Sequence, residues 1–177
     1  MKRYFLFIMM SLVLHTGIVS AQSVQPKEKS LAEAYMKQVA KEIKSDEIDY
    51  AYISTSMLKQ LLSQMLSMVD TEVKNALEMV FGSAMYMRRF ISTGEEGYKL
   101  LSTEMRPFFE EEEMVMGMEL NALNRRDGVV SIIYGNSENV LVINDNAEAD
   151  NLCAVFIAGL SYEAFMKLND SDIDLFF

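Results

Sequence analysis

The apolar positions change period along the chain, and the changes mark its elements. Leu31, Tyr35, Val39 and Ile43 recur every four residues behind the capping-box spacing Ser30-Leu31-Ala32-Glu33, so the pattern predicts a helix over 31–44. Ile48 to Ile53 (IDYAYI) sets Ile48, Tyr50 and Tyr52 against Asp49 and Ala51, the period of two of a strand. Ser54-Thr55-Ser56 offers N-cap hydroxyls to a second helix striped by Met57, Leu58, Leu61, Leu62, Met65 and Val69. Asp70-Thr71 caps a third, with Val73, Leu77, Val80, Phe81 and Ala84 on one side and Gly82 as terminator. Met85 to Ser92 (MYMRRFIS) predicts another strand. Gly94 then restarts a helix in which Tyr98, Leu101 and Met105 share a face. Pro107 pushes Arg106 toward extended backbone, so this helix kinks or stops there.

The second half changes character. Met114–Leu123, Val129–Tyr134, Val140–Asn144 and Leu152–Ala158 predict four strands, separated by the turn signals Asp127-Gly128, Gly135-Asn136 and Asn144-Asp145-Asn146. Short turns between successive strands imply an antiparallel meander. Ser161–Leu168 predicts a closing helix, and the tail from Asp170 ends in Leu175, Phe176 and Phe177. Helices early and strands late give an α+β fold: an antiparallel sheet of about five to six strands ending in a C-terminal meander, with helices packed mainly on one face. No internal repeat is visible.

The N-terminus changes the picture of where the chain works. Met1-Lys2-Arg3 precedes an 11-residue apolar run from Tyr4 to Leu14, followed by Val19-Ser20-Ala21. That is the layout of a cleaved secretory signal peptide, and it falls short of the ~20 apolar residues that span a bilayer. The expected organisation is a signal peptide over 1–21, a flexible lead over 22–29 with a proline, and one α+β domain over 30–177, with no transmembrane segment after cleavage. The destination is the periplasm, the extracellular space or the cell surface.

Cleavage leaves 14 basic against 26 acidic side chains, a net charge of −12. Phosphate-binding surfaces need the opposite sign, so nucleic acid is a poor partner. The single histidine, His15, leaves with the leader, and the single cysteine is Cys153. Histidine-based nucleophile activation and His-ligated zinc are therefore excluded by supply, and no intrachain disulfide exists. The expectation is a non-enzymatic domain without catalytic residues or a cofactor.

The leader, IDYAYISTSMLKQLL, MYMRRFIS and NVLVINDNAEADNLCAVFIAGLSYEAF resemble small exported domains of unknown function common in Bacteroidetes. The resemblance covers most of the mature chain and rests on pattern and order. It implies an envelope location and no established activity. Many relatives look like lipoproteins, and the missing leader cysteine is a departure that leaves the manner of anchoring open.

Within the domain, Phe109 to Leu120 (FEEEEMVMGMEL) holds the sharpest chemistry. Met114, Met116 and Met118 are thioethers spaced two apart, a soft set that suits Cu(I). On a strand the same spacing lines them along one face toward the core, with Val115 and Gly117 opposite, and methionine fills this chain generally. Glu110–Glu113 point in different directions on any regular element and read as a solvated face. Asn144–Asp150 lacks the glycine and distal glutamate of an EF-hand and reads as a polar turn. Cys153 lies in an apolar run with no adjacent cation, the setting of a buried thiol, with an interchain disulfide as the other reading. Arg125-Arg126 read as surface charge.

The functional expectation is a protein-binding or structural module whose partner is an envelope protein or a second copy. Leu175, Phe176 and Phe177 are a candidate docking end. One alternative is a small-ligand or metal carrier, with Cu(I) on Met114, Met116 and Met118. A second is an acid-pair hydrolase, for which two facing carboxylates are required.

Overall fold

The computed structural model describes residues 29–66 and 82–169, together with Asn75 and Glu78. The expected signal peptide over 1–21, nearly all of the expected lead, most of the third helix expected from Asp70, and the Leu175–Phe177 end lie outside the described residues. The elements are α1 (Leu31–Glu42), β1 (Ile48–Ser54), α2 (Thr55–Leu66), β2 (Tyr86–Ser92), α3 (Glu95–Phe109), β3 (Met114–Val115), β4 (Met118–Arg126), β5 (Val129–Gly135), β6 (Asn139–Asn146), β7 (Asn151–Ala158) and α4 (Tyr162–Asn169). A 3-10 turn, Ala147–Ala149, joins β6 to β7.

The strands form one open antiparallel sheet in the order β1-β2-β7-β6-β5-β4-β3. The C-terminal meander is present as β4 to β7, each strand paired with its neighbour in sequence. The fold is α+β. Seven strands replace the five to six expected, because the segment from Met114 contains a turn. The pairing no local pattern announces is β2 with β7, which runs from Tyr86↔Ala158 to Ile91↔Cys153. Ser92 clamps one end of it: its hydroxyl donates to the Asp150 carbonyl at 3.0 Å and accepts from the Leu152 N–H at 2.7 Å. At the other end the Met85 N–H donates to the Ala158 carbonyl at 2.7 Å.

Helices cover both faces, where packing mainly on one was expected. On the first face, Ala32, Met36 and Val39 of α1 and Leu101, Met105 and Phe108 of α3 pack on Tyr86, Phe90, Ile132, Tyr134, Leu141, Ile143 and Phe156. On the second, Leu58 of α2 and Phe165 of α4 pack on Ile53, Ile133, Val140, Val142, Val155 and Ile157. The physical reason lies in β6 and β7. Val140–Ile143 and Leu152–Ala158 are apolar at successive positions, so both sides of these central strands must leave water.

Local chemistry sets the helix ends. The Ser30 hydroxyl accepts from the Glu33 N–H at 3.1 Å, so the predicted cap forms. Ser161 does the same for α4, accepting from the Ala164 N–H at 3.2 Å. Gly94 precedes α3 with no side chain to cap it, and Glu47 supplies the carboxylate, accepting from the Gly97 N–H at 3.1 Å. Helix α3 also runs through Pro107, where a kink or stop was expected. The proline lies in the last turn and forfeits a single backbone bond. Phe108, fully buried between the rings of Tyr35 and Tyr134, holds that turn in place.

Gly97 is required by this arrangement, because a Cβ there would sit well inside contact distance of the Glu47 backbone carbonyl. Gly97→Ala is expected to cost about 1–3 kcal/mol by overpacking, measured as a lowered urea midpoint with unchanged slope.

Candidate functional site

Strand β2 carries two consecutive arginines, and the period of a strand sends them to opposite faces of the sheet. Arg88 and Arg89 are 2% and 4% exposed, so each guanidinium is desolvated and must be compensated. Both sets of compensating groups include residues of β1. On the α1 face, Arg88 Nη1 donates to the Tyr50 hydroxyl at 2.5 Å, and the guanidinium lies 5.0 Å from the centre of the Tyr52 ring and 5.3 Å from that of Tyr86. The Tyr86 hydroxyl donates to Glu33 Oε2 of α1 at 3.1 Å, and Glu33 is itself buried. On the α2 face, Arg89 Nη2 bonds Asp49 Oδ2 at 2.6 Å, while Arg89 Nε and Nη1 have no hydrogen-bond partner among the described residues.

The tyrosines respond to this setting. Burial raises the pKa of Tyr50 and Tyr52 above 10.0, with the Arg88 charge opposing it. Burial also raises Tyr86, and the Glu33 carboxylate pushes the same way. Each is held as a neutral phenol. The Tyr50 ring also lies against Phe90, centres 5.1 Å apart, and Tyr52 against Tyr86 at 5.5 Å.

What this network fixes is the edge of the sheet. β1 pairs only with β2 among the described residues, in unbroken register from Ile48↔Ser92 to Ser54↔Tyr86. One step before it, the Thr93 N–H donates to the Glu47 carbonyl at 2.7 Å. Bonded and non-bonded pairs alternate in an antiparallel ladder. By that alternation Asp49, Ala51 and Ile53 exchange their bonds with β2, and the N–H and C=O groups of Tyr50 and Tyr52 point outward.

The opposite edge is treated differently. β3 covers the first residues of β4, and the Leu120 N–H bonds the Glu113 carbonyl at 3.0 Å. The register shifts between Leu120 and Ala122, and the strand ends in the exposed Arg125 and Arg126, Arg125 paired with Glu111. Bulges, charges and loop cover are the means by which sheet edges avoid pairing. β1 has no proline, no lysine and no bulge.

Met114, Met116 and Met118 do not share the one strand face that their spacing predicts. Met114 and Val115 form β3, Met116 and Gly117 form a turn with φ of 51° and 78°, and Met118 begins β4. Val115 pairs with Met118, and Met114 with Glu119. Directly opposed residues share a face, so Val115 and Met118 turn inward and are buried, while Met114 lies on the other side, 58% exposed. The turn inverts the parity that a single strand would keep, and the thioethers of Met114, Met116 and Met118 do not line one face.

The other predicted features stay apart. Glu110–Glu113 are exposed in the loop between α3 and β3, with Arg106 3.4 Å from Glu110. Asn144–Asp150 is a strand end and a 3-10 turn; Asn146 Oδ1 accepts from the Ala149 N–H at 3.3 Å. Burial raises the carboxyl of Asp145, and the neighbouring Tyr98 hydroxyl opposes it. Cys153 is buried, and burial pushes its thiol up to about 11. Among the described residues no three His, Cys, Asp or Glu side chains are grouped to hold a metal ion. No described helix is long and apolar enough to cross a membrane.

Arg88 and Arg89 are candidate-site residues that no motif in the chain marks. The signal was present: two charges inside an otherwise apolar strand, facing both ways, require compensation on both sides of a sheet.

Asp49→Ala leaves Arg89 buried without its carboxylate and is expected to cost about 1–3 kcal/mol in urea unfolding, the range of a lost charge-assisted bond at a partly exposed pair. The tyrosines give a pH dependence. The folded state holds the protons of Tyr50, Tyr52 and Tyr86 more tightly than the unfolded chain, where phenols ionise near 10.0. Their contribution is whole below that pH and is lost as pH rises above it. The urea midpoint is therefore expected to be lower at about pH 11 than at about pH 8, and Tyr86→Phe should flatten the decline.

Compared with family models, with curated proteins and with solved structures, the chain matches none.

Proposed function

We propose that the chain is a non-enzymatic, exported cell-envelope module that binds protein by adding a strand to the open β1 edge. The observation that supports this most is the contrast between the two edges of one sheet. The β3/β4 edge carries a bulge, two exposed arginines and a covering loop, whereas β1 offers an unbroken seven-residue edge. Strand addition takes its affinity from main-chain hydrogen bonds and its specificity from alternate side chains. Here the outward main-chain groups belong to Tyr50 and Tyr52, whose rings are held from behind by Arg88. An edge pre-set in this way binds without having to order itself first. The histidine-free composition of the mature chain supports a binding role over catalysis, and the layout of residues 1–21 supports export.

The metal-carrier reading has no support from the hairpin geometry of Met114, Met116 and Met118. The acid-pair reading has none from Asp145, which faces Tyr98.

In the dilute chain, amide exchange at Tyr50 and Tyr52 is expected to be faster than at Ala51 and Ile53, which bond β2. Proline is tolerated on an edge strand where its nitrogen faces away from the neighbour. Tyr52→Pro should therefore keep the far-UV spectrum of the wild type, with a lower urea midpoint because the ring beside Arg88 is lost, and lose the species that crosslinking traps in the native envelope. Tyr52→Ala, which loses the ring but keeps the N–H, should still yield it. Trapping of the same species by Tyr52→Pro would remove β1 as the binding edge.

A further inference from the structure

We infer that the occupant of the β1 edge is β1 of a second copy, antiparallel, with the two-fold axis at Ala51. The inference rests on the strand-addition reading above and goes further by naming the partner and the register. β1 reads Ile48-Asp49-Tyr50-Ala51-Tyr52-Ile53-Ser54, and its Tyr50-Ala51-Tyr52 centre is symmetric about Ala51. A two-fold at Ala51 sets Tyr50 against Tyr52 of the other copy, and Tyr52 against its Tyr50. These are the residues whose N–H and C=O groups point outward, so both pairs become hydrogen-bonded pairs and the ladder continues without a break in parity. Centring on Tyr50 or Tyr52 also keeps parity but shortens the overlap, whereas centring on Ala51 keeps both tyrosine pairs. At the strand end the Ile48 N–H is already bonded to the Ser45 carbonyl at 3.2 Å, so the new ladder rests on Tyr50 and Tyr52.

Charge and shape agree with that register. Asp49 is the one ionisable carboxylate on β1, and it falls opposite Ile53 of the other copy, clear of its own image. Its charge is already held by Arg89 at 2.6 Å, so joining the edges of two acidic chains places no unpaired carboxylate in the interface. Tyrosine faces tyrosine on the α1 side, an aromatic cross-strand pair. On the two-fold itself Ala51 meets Ala51, and the small side chain lets the two α2 faces approach.

The test follows from the geometry of the central pair. Ala51 bonds β2, so across the new ladder it forms a non-bonded pair with Cα atoms ~4.5 Å apart. A disulfide accepts separations of roughly 4.4–6.8 Å. In Ala51→Cys the two thiols meet on the axis, whereas in Ser54→Cys each faces Ile48 of the other copy. Cys153 does not compete, being buried with its thiol pushed up to about 11.

The full mature chain is expected to show a doubling of mass by light scattering as concentration rises. In parallel, exchange at the Tyr50 and Tyr52 amides should slow. Under mild oxidation Ala51→Cys should run mostly as a linked dimer and Ser54→Cys mostly as a monomer. A chain that stays monomeric, with the Tyr50 and Tyr52 amides still exchanging fast, overturns the dimer; strand addition then stands or falls on the Tyr52→Pro comparison in the envelope. Linking by Ser54→Cys but not by Ala51→Cys overturns the register. Protection of Tyr50 and Tyr52 that does not depend on concentration means another part of the chain covers the edge, and overturns both readings.

Discussion

The cost of burying two guanidinium groups on one strand organises this structure. β2 lies between β1 and β7, and the residues that relieve its charge come largely from β1: Tyr50 and Tyr52 for Arg88, Asp49 for Arg89. A slip of one residue in the β1–β2 register would carry every one of these groups to the wrong face. The apolar core favours many arrangements of similar volume, but the two arginines favour one. The fold therefore holds its outermost seven-residue strand in place by charge compensation as well as by apolar burial.

A second constraint works at the inner side of β2. Ser92 ties its end to Asp150 and Leu152, and Met85 ties its start to Ala158, so the junction between the N-terminal strands and the meander is anchored at both ends. β6 and β7 then lie in the middle of the sheet with helices above and below, which is why their apolar runs are continuous. Several polar groups that interrupt this interior are tied to partners: Glu33 to Tyr86, Ser131 to Asn144 at 2.7 Å, the Asn139 amide nitrogen to Ser30 at 3.2 Å.

These constraints leave the two edges unequal. One is blunted by a hairpin, a bulge and charges. The other is rigid, aromatic and open among the described residues. Rigidity matters to a binding edge because strand addition fixes the incoming chain, and a host strand that is already ordered adds no further entropic cost. The Arg88 network is thus a structural device whose effect is felt at the edge, one strand away from the charge.

Most elements were legible from period and capping alone. The helical period behind Ser30, the caps at Ser30 and Ser161, and the turn signals after β4 and β5 are local properties, so α1, α4 and the meander stood in the sequence, although Leu31 of the expected apolar stripe is exposed and Ala32, Met36 and Val39 form the buried face. The methionine hairpin did not. Met114 to Met118 has the period of a strand, and only the positive φ of Met116 and Gly117 breaks it, a choice made by Val115 and Met118 both entering the core. The candidate site was hidden for a different reason. That Arg88 and Arg89 are buried, and that β1 is left at the edge among the described residues, follows from β2 pairing with β7 across more than sixty residues, and a contact of that range has no local pattern to announce it. Spacing settled which segments coil and which extend; long-range pairing alone decided which strand would be left facing outward.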